Sequence, residues 1–161
     1  MICEFYRIDD KNITKLKNLS EDKLSEFLVE NYSSVYGQYH KQNDTVFSLD
    51  KAWDVARFLL KTNDSTADKI LDNIFGEPFD ENSYEIYNYL LSDKVKNINQ
   101  ILLKIQIDDL YKEYDEEKMI SQNVYKASGF HWTFIKQHIE TISAAFKKAA
   151  EQNDGLIINI G

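Results

Sequence analysis

Apolar positions recur along this chain with two different periods. Ile2, Phe5, Tyr6 and Ile8 form an aromatic and β-branched run bounded by Asp9-Asp10-Lys11-Asn12, which predicts a short strand. Two helical stretches follow. In the second, Ser20 can cap free amides, Glu21 and Asp22 lie in the positive first turn, and Leu24, Phe27 and Leu28 return at helical spacing as far as Asn31. From Tyr32 to Asp44 the periodicity lapses into Ser, Gly, Gln, His and Asn, which predicts an irregular connection. Val46-Phe47-Ser48-Leu49 then leads into a helix from Asp50 to Lys61 that places Ala52, Trp53, Ala56, Leu59 and Leu60 on one face. Ser65 and Asp68 are spaced as a capping box and open a helix through Ile70, Leu71 and Ile74. It stops near Gly76, with the sole proline, Pro78, just beyond.

The Tyr-rich segment from Tyr84 to Leu90 predicts a strand. Ser92 then caps a helix carrying Val95, Ile98, Ile101, Leu102 and Ile105, and a further helix runs from Asp108 to Tyr114. The longest periodic stretch is Trp132 to Gln152, where Ile135, His138, Ile139, Ile142, Ala145, Phe146 and Ala149 repeat at three and four residues. Asn153-Asp154-Gly155 ends it, and Leu156 to Ile160 is a β-branched run suited to a buried strand. Strands at both ends and between, without regular βα alternation, predict an α+β fold. The expectation is a single helix-rich domain over residues 1–161 with a small mixed or antiparallel sheet that includes both terminal strands.

Composition supports a folded chain: 43% of the 161 residues are hydrophobic and 13% aromatic, enough for a core without disulfides, and a single Cys agrees. Charge narrows the partners. The net charge is −8, and of 19 basic residues only Arg7 and Arg57 offer the guanidinium forks that grip phosphates and guanine edges, so nucleic acid is excluded as an expected partner. No apolar run is long enough for a bilayer crossing, and the start of the chain has an acidic residue at Glu4 and no cationic leader. A cytoplasmic location without membrane contact is expected, and a basic protein is the favoured class of partner.

No motif names a reaction. His40, His131 and His138 are poorly spaced for one ion: on a shared helix the last two would be separated by about 10 Å of rise. Cys3 falls in a predicted strand, without the helix terminus or cations that activate a thiol. A Gly-x-Ser-x-Gly elbow is absent, and five scattered glycines form no phosphate loop. Catalytic residues, cofactor and metal are therefore all expected to be none.

Asp108, Asp109, Glu113, Asp115, Glu116 and Glu117 crowd into ten residues against Lys112. This segment reads either as a solvated helix face and turn or as an acidic docking patch for a basic partner. An EF-hand is not indicated, since alternating ligands and a central glycine are missing. Trp53, Arg57, His131 and Trp132 form an alternative candidate, a pocket in which Arg57 holds an anionic ligand and His131 moves protons. Tyr111, Tyr114 and Tyr125 are the better interface candidates among the tyrosines, since each keeps a polar tip on an apolar ring.

Several blocks taken together resemble the bacterial YfbM-like family, a domain of unknown function. They are Met1 to Ile8, Leu49-Asp50-Lys51-Ala52-Trp53 followed by Phe58-Leu59-Leu60, Gly76-Glu77-Pro78, Tyr114-Asp115-Glu116-Glu117-Lys118-Met119, and the closing helix and strand. The resemblance implies an α+β domain of the bacterial cytoplasm and brings no catalytic residues. Members often carry Ser at the position of Ala52 and His at those of Asp54 and Arg57, so a shared histidine site is not carried over to this chain. The function expected is a non-enzymatic acidic interaction module, in one version an immunity protein that neutralises a toxin. The alternative is a small-molecule sensor or enzyme using the pocket near Trp53, Arg57 and Trp132.

Overall fold

The computed structural model describes residues 1–32, 44–62, 64–80 and 86–161. Its centre is a five-stranded antiparallel sheet of β1 (Cys3–Ile8), β2 (Val46–Ser48), β3 (Glu77–Pro78), β4 (Ile86–Leu90) and β5 (Gly155–Ile160), in the order β2-β1-β5-β4-β3. The run Leu156-Ile157-Ile158 is fully buried because β5 is the middle strand and both faces of the sheet are covered.

Alternation along the strands sorts side chains to the two faces. Cys3 and Phe5 of β1, with Leu156, Ile158 and Ile160 of β5, join a large core under α3 (Trp53–Leu59), α5 (Ser92–Leu102) and α7 (Trp132–Gln152). Tyr6, Ile8, Tyr87 and Ile157 face the other way, toward Ile13 and Leu16 of α1 (Asp10–Leu16) and Leu24 and Leu28 of α2 (Glu21–Tyr32). The predicted stripe of α7 is the buried one. Its seven apolar-side positions, His138 included, are sequestered, and Asn153 ends the helix in the left-handed conformation (φ 57°).

Gly76 follows α4 (Ser65–Leu71) at φ +76°, and a Cβ there would stand 2.4 Å from the carbonyl oxygen of Tyr89. Only glycine lets β3 approach β4 this closely.

The structure departs from the sequence pattern in several places. Val46-Phe47-Ser48 is a strand paired with β1 rather than the approach to a helix, and the helix begins as a 3-10 turn over Asp50–Ala52 before α3 proper ends at Leu59. The cap of α4 is Asp64, whose carboxylate accepts from the amides of Thr66 and Ala67, not Ser65. Ser92 does not cap with its own hydroxyl: its amide and Oγ both donate to Asp10, at 2.9 and 2.7 Å, which ties α1 to α5. Residues 107–113 form a 3-10 turn instead of an α-helix, and α6 (Glu116–Ser121) follows where only a turn was expected. His40, the expected irregular connection at 33–43, and the beginning of the Tyr84 strand lie outside the described residues.

Candidate functional site

The acidic segment occupies the 3-10 turn and α6, and much of its charge is engaged locally. Asp108 pairs with Lys136 of α7 at 2.6 Å, and that hydrogen bond raises the lysine pKa. Asp109 pairs with Lys112 at 3.0 Å. Asp115 caps α6 by accepting from the amide of Lys118 at 3.0 Å. Glu116 accepts from the Tyr114 hydroxyl at 2.8 Å and from the amide of Gly129 at 3.4 Å, which fastens the start of α6 to the loop before α7. The same hydroxyl lies 3.0 Å from the carbonyl of Phe130. Burial, then the bond to Glu116 and its charge, push the Tyr114 pKa up to about 12. Glu113 and Glu117 are exposed and make no such contacts among the described residues. Within this segment Tyr111 is 58% exposed, its ring resting on Trp132 with centroids 5.4 Å apart.

The four residues of the alternative pocket sit in different settings. Trp53 packs edge-on against Phe75 and stacks on Tyr125, with its indole nitrogen buried and unpartnered. Arg57 turns back to Asp54, Nε at 2.7 Å and a terminal nitrogen at 2.6 Å from the same oxygen, while the other Asp54 oxygen accepts from the amide of Tyr125 at 2.7 Å. His131 is exposed at the entrance to α7, and Trp132 belongs with Tyr111.

Of the remaining reactive types, His138 is buried and donates from Nδ1 to the Phe134 carbonyl at 2.7 Å. Cys3 is fully buried, and burial, followed by the charge of Glu4, pushes its thiol pKa well up, away from the reactive thiolate. No group of three or more His, Cys, Asp or Glu side chains among the described residues is arranged to hold a metal ion. No described helix is long and apolar enough to cross a membrane.

A cleft of about 730 Å³ opens between the end of α3, the start of α4, the end of α5 and α6, a size typical of small-molecule sites. None of Trp53, Arg57, His131 or Trp132 lines it, whereas Asp109 and Glu113 do. Phe58, Ile101, Ile105 and Leu110 supply apolar walls, and three lysines approach: Lys61 from the connection after α3, Lys104 from the turn after α5, and Lys118 from α6. One wall is fixed in advance, because Asp68 accepts from both the amide and the hydroxyl of Thr62, at 2.6 and 2.8 Å. No sequence pattern marks this site, because its residues are dispersed from Phe58 to Gln122. Only the helix ends meeting there bring them together.

These features define a helix-rich α+β protein whose antiparallel sheet is covered on both faces. The chain belongs to the YfbM-like family: the model of the domain of unknown function DUF1877 matches residues 1–159. The crystal structure of YfbM from Escherichia coli, a protein of unknown function, is similar to it over 100% of both chains, with a TM-score of 0.64 and 17% sequence identity. At that identity the likeness establishes the shared fold. No curated relative matches the chain.

Proposed function

We propose that this chain is a protein-interaction module that docks a basic partner on the surface formed by the 3-10 turn and α6. The observation that carries this reading is Tyr111: a large aromatic side chain, 58% exposed, braced on Trp132 and flanked in sequence by Asp108, Asp109 and Glu113. A rigid aromatic anchor beside a charged rim is the arrangement in which a few residues dominate binding and complementary charge accelerates encounter. The net charge of −8 favours the same class of partner. An immunity protein that occludes a basic toxin is one form of this function.

The test is capture of partners from the host with the tagged chain, followed by binding measurements on the purified partner. A basic protein is expected, its affinity falling at least about tenfold from low salt to about 0.5 M. Asp108→Lys with Glu117→Lys should slow association, and Tyr111→Ala should speed dissociation. A salt-insensitive partner, or one bound equally well by the charge-reversed chain, would overturn the proposal.

A further inference from the structure

We infer that the cleft between α3, α4, α5 and α6 is a binding site for a small zwitterion with an apolar body, the chemistry of an apolar amino acid or a short apolar peptide with free ends. The inference rests on which charged groups lining the cleft are already engaged. Asp64 caps α4, Asp68 holds the Thr62 loop, and Asp109 pairs with Lys112. Lys61 pairs with Asp72 at 3.2 Å, but both side chains are about half exposed or more, so water screens the pair. The ammonium groups of Lys104 and Lys118 and the carboxylate of Glu113 have no ion pair or hydrogen bond among the described residues.

The groups with no partner among the described residues are therefore two cations and one anion around an apolar lining, with Lys61, weakly held by Asp72, as a third cation. A purely anionic ligand would meet Glu113 and the field of an acidic protein, and a purely cationic one would meet the two lysines. A ligand carrying both charges satisfies both sets, its carboxylate toward Lys104 or Lys118 and its ammonium toward Glu113. Its apolar body then lies on Phe58, Ile101, Ile105 and Leu110. The Thr62–Asp68 bonds hold one wall in place before binding, which lowers the ordering cost on that side. This site shares Glu113 and α6 with the docking surface, but the variants that test it leave Asp108, Tyr111 and Glu117 intact, so failure of one reading is distinguishable from failure of the other.

Isothermal titration of the full chain with phenylalanine and with the dipeptide Leu-Leu tests the inference. Saturable one-site binding of at least one of them is expected, and the stronger of the two identifies the ligand length. N-acetyl-Leu-Leu and Leu-Leu amide should each bind at least about threefold more weakly than Leu-Leu. Lys104→Glu with Lys118→Glu, both on exposed positions, should weaken binding more than about tenfold, whereas Lys69→Glu on the outside of α4 should leave it unchanged. Ala67→Trp, which fills the cleft from α4 without changing a charge, should also abolish binding. The inference is overturned if neither probe saturates, if the blocked dipeptides bind as tightly as the free one, or if the Lys104/Lys118 double variant binds like the original chain.

Discussion

Asp54 offers the clearest quantitative test of how α3 is anchored. Its carboxylate is 6% exposed and receives Arg57 on one oxygen and the Tyr125 amide on the other. Asp54→Ala strands that amide, at a cost of roughly 1.5–3 kcal/mol for a lost bond to a charged acceptor. The Arg57 side chain is 37% exposed, so solvent screens the ion pair and its contribution is at most about 1 kcal/mol. Together these give a loss of about 3 kcal/mol, which for a chain of this size lowers the melting temperature by about 10 °C. Asp54→Asn keeps an acceptor for Tyr125 and should lose about half as much. Urea unfolding followed by tryptophan fluorescence reads the effect directly, since Trp53 stacks on Tyr125. The double variant Asp54→Ala, Arg57→Ala should be no less stable than Asp54→Ala alone, because the guanidinium has already lost its partner. A loss below about 1 kcal/mol for Asp54→Ala, or strictly additive effects in the double variant, would refute the anchoring argument.

Two further perturbations follow from the geometry. Gly76→Ala forces a side chain into a positive φ and against the Tyr89 carbonyl, and should cost more than about 2 kcal/mol in a thermal melt; a change within about 0.5 kcal/mol would mean that the β3–β4 contact is not as close as described. Tyr114, ordinarily at pKa 10.0 and here pushed up to about 12, keeps its proton longer in the folded chain than in the unfolded one. The stability this supplies is complete below pH 10 and is lost as the pH rises toward 12, so Tyr114→Phe should flatten the alkaline fall in stability. Unfolding curves from pH 9 to 12 check it, and an unchanged slope in the variant would count against the assignment.

Much of the fold could be read from periodicity where burial alone dictates residue choice. The α7 stripe and the β5 run are such cases, since one helix face or two sheet faces must be apolar. The reading failed where a distant partner overrode local chemistry. Ser92 resembles a cap, yet it donates to Asp10, which lies 82 residues earlier. Val46-Phe47-Ser48 becomes a strand because β1 offers an unpaired edge, which no local pattern reveals. The acidic segment was visible as charge, but the pairing of Asp108 with Lys136 across to α7 was not. Glu4 and Asn159 are paired across the sheet on the α1–α2 side, with Glu4 buried and accepting from Tyr6 at 2.6 Å, and a single polar residue in a strand gives no sign of this. The cleft was illegible for the same reason, since its walls come from helix ends remote in sequence.

The strand that holds the sheet together is also the last of the five to leave the ribosome. Until residues 155–160 emerge, β1 and β4 have no common neighbour, and the pairs β1–β2 and β3–β4 remain separate ribbons. The β1–β5 ladder joins Cys3 to Ile160 across nearly the whole chain, the kind of distant pairing that raises contact order and slows folding. Any early stop that removes this strand leaves two half-sheets with nothing to bridge them.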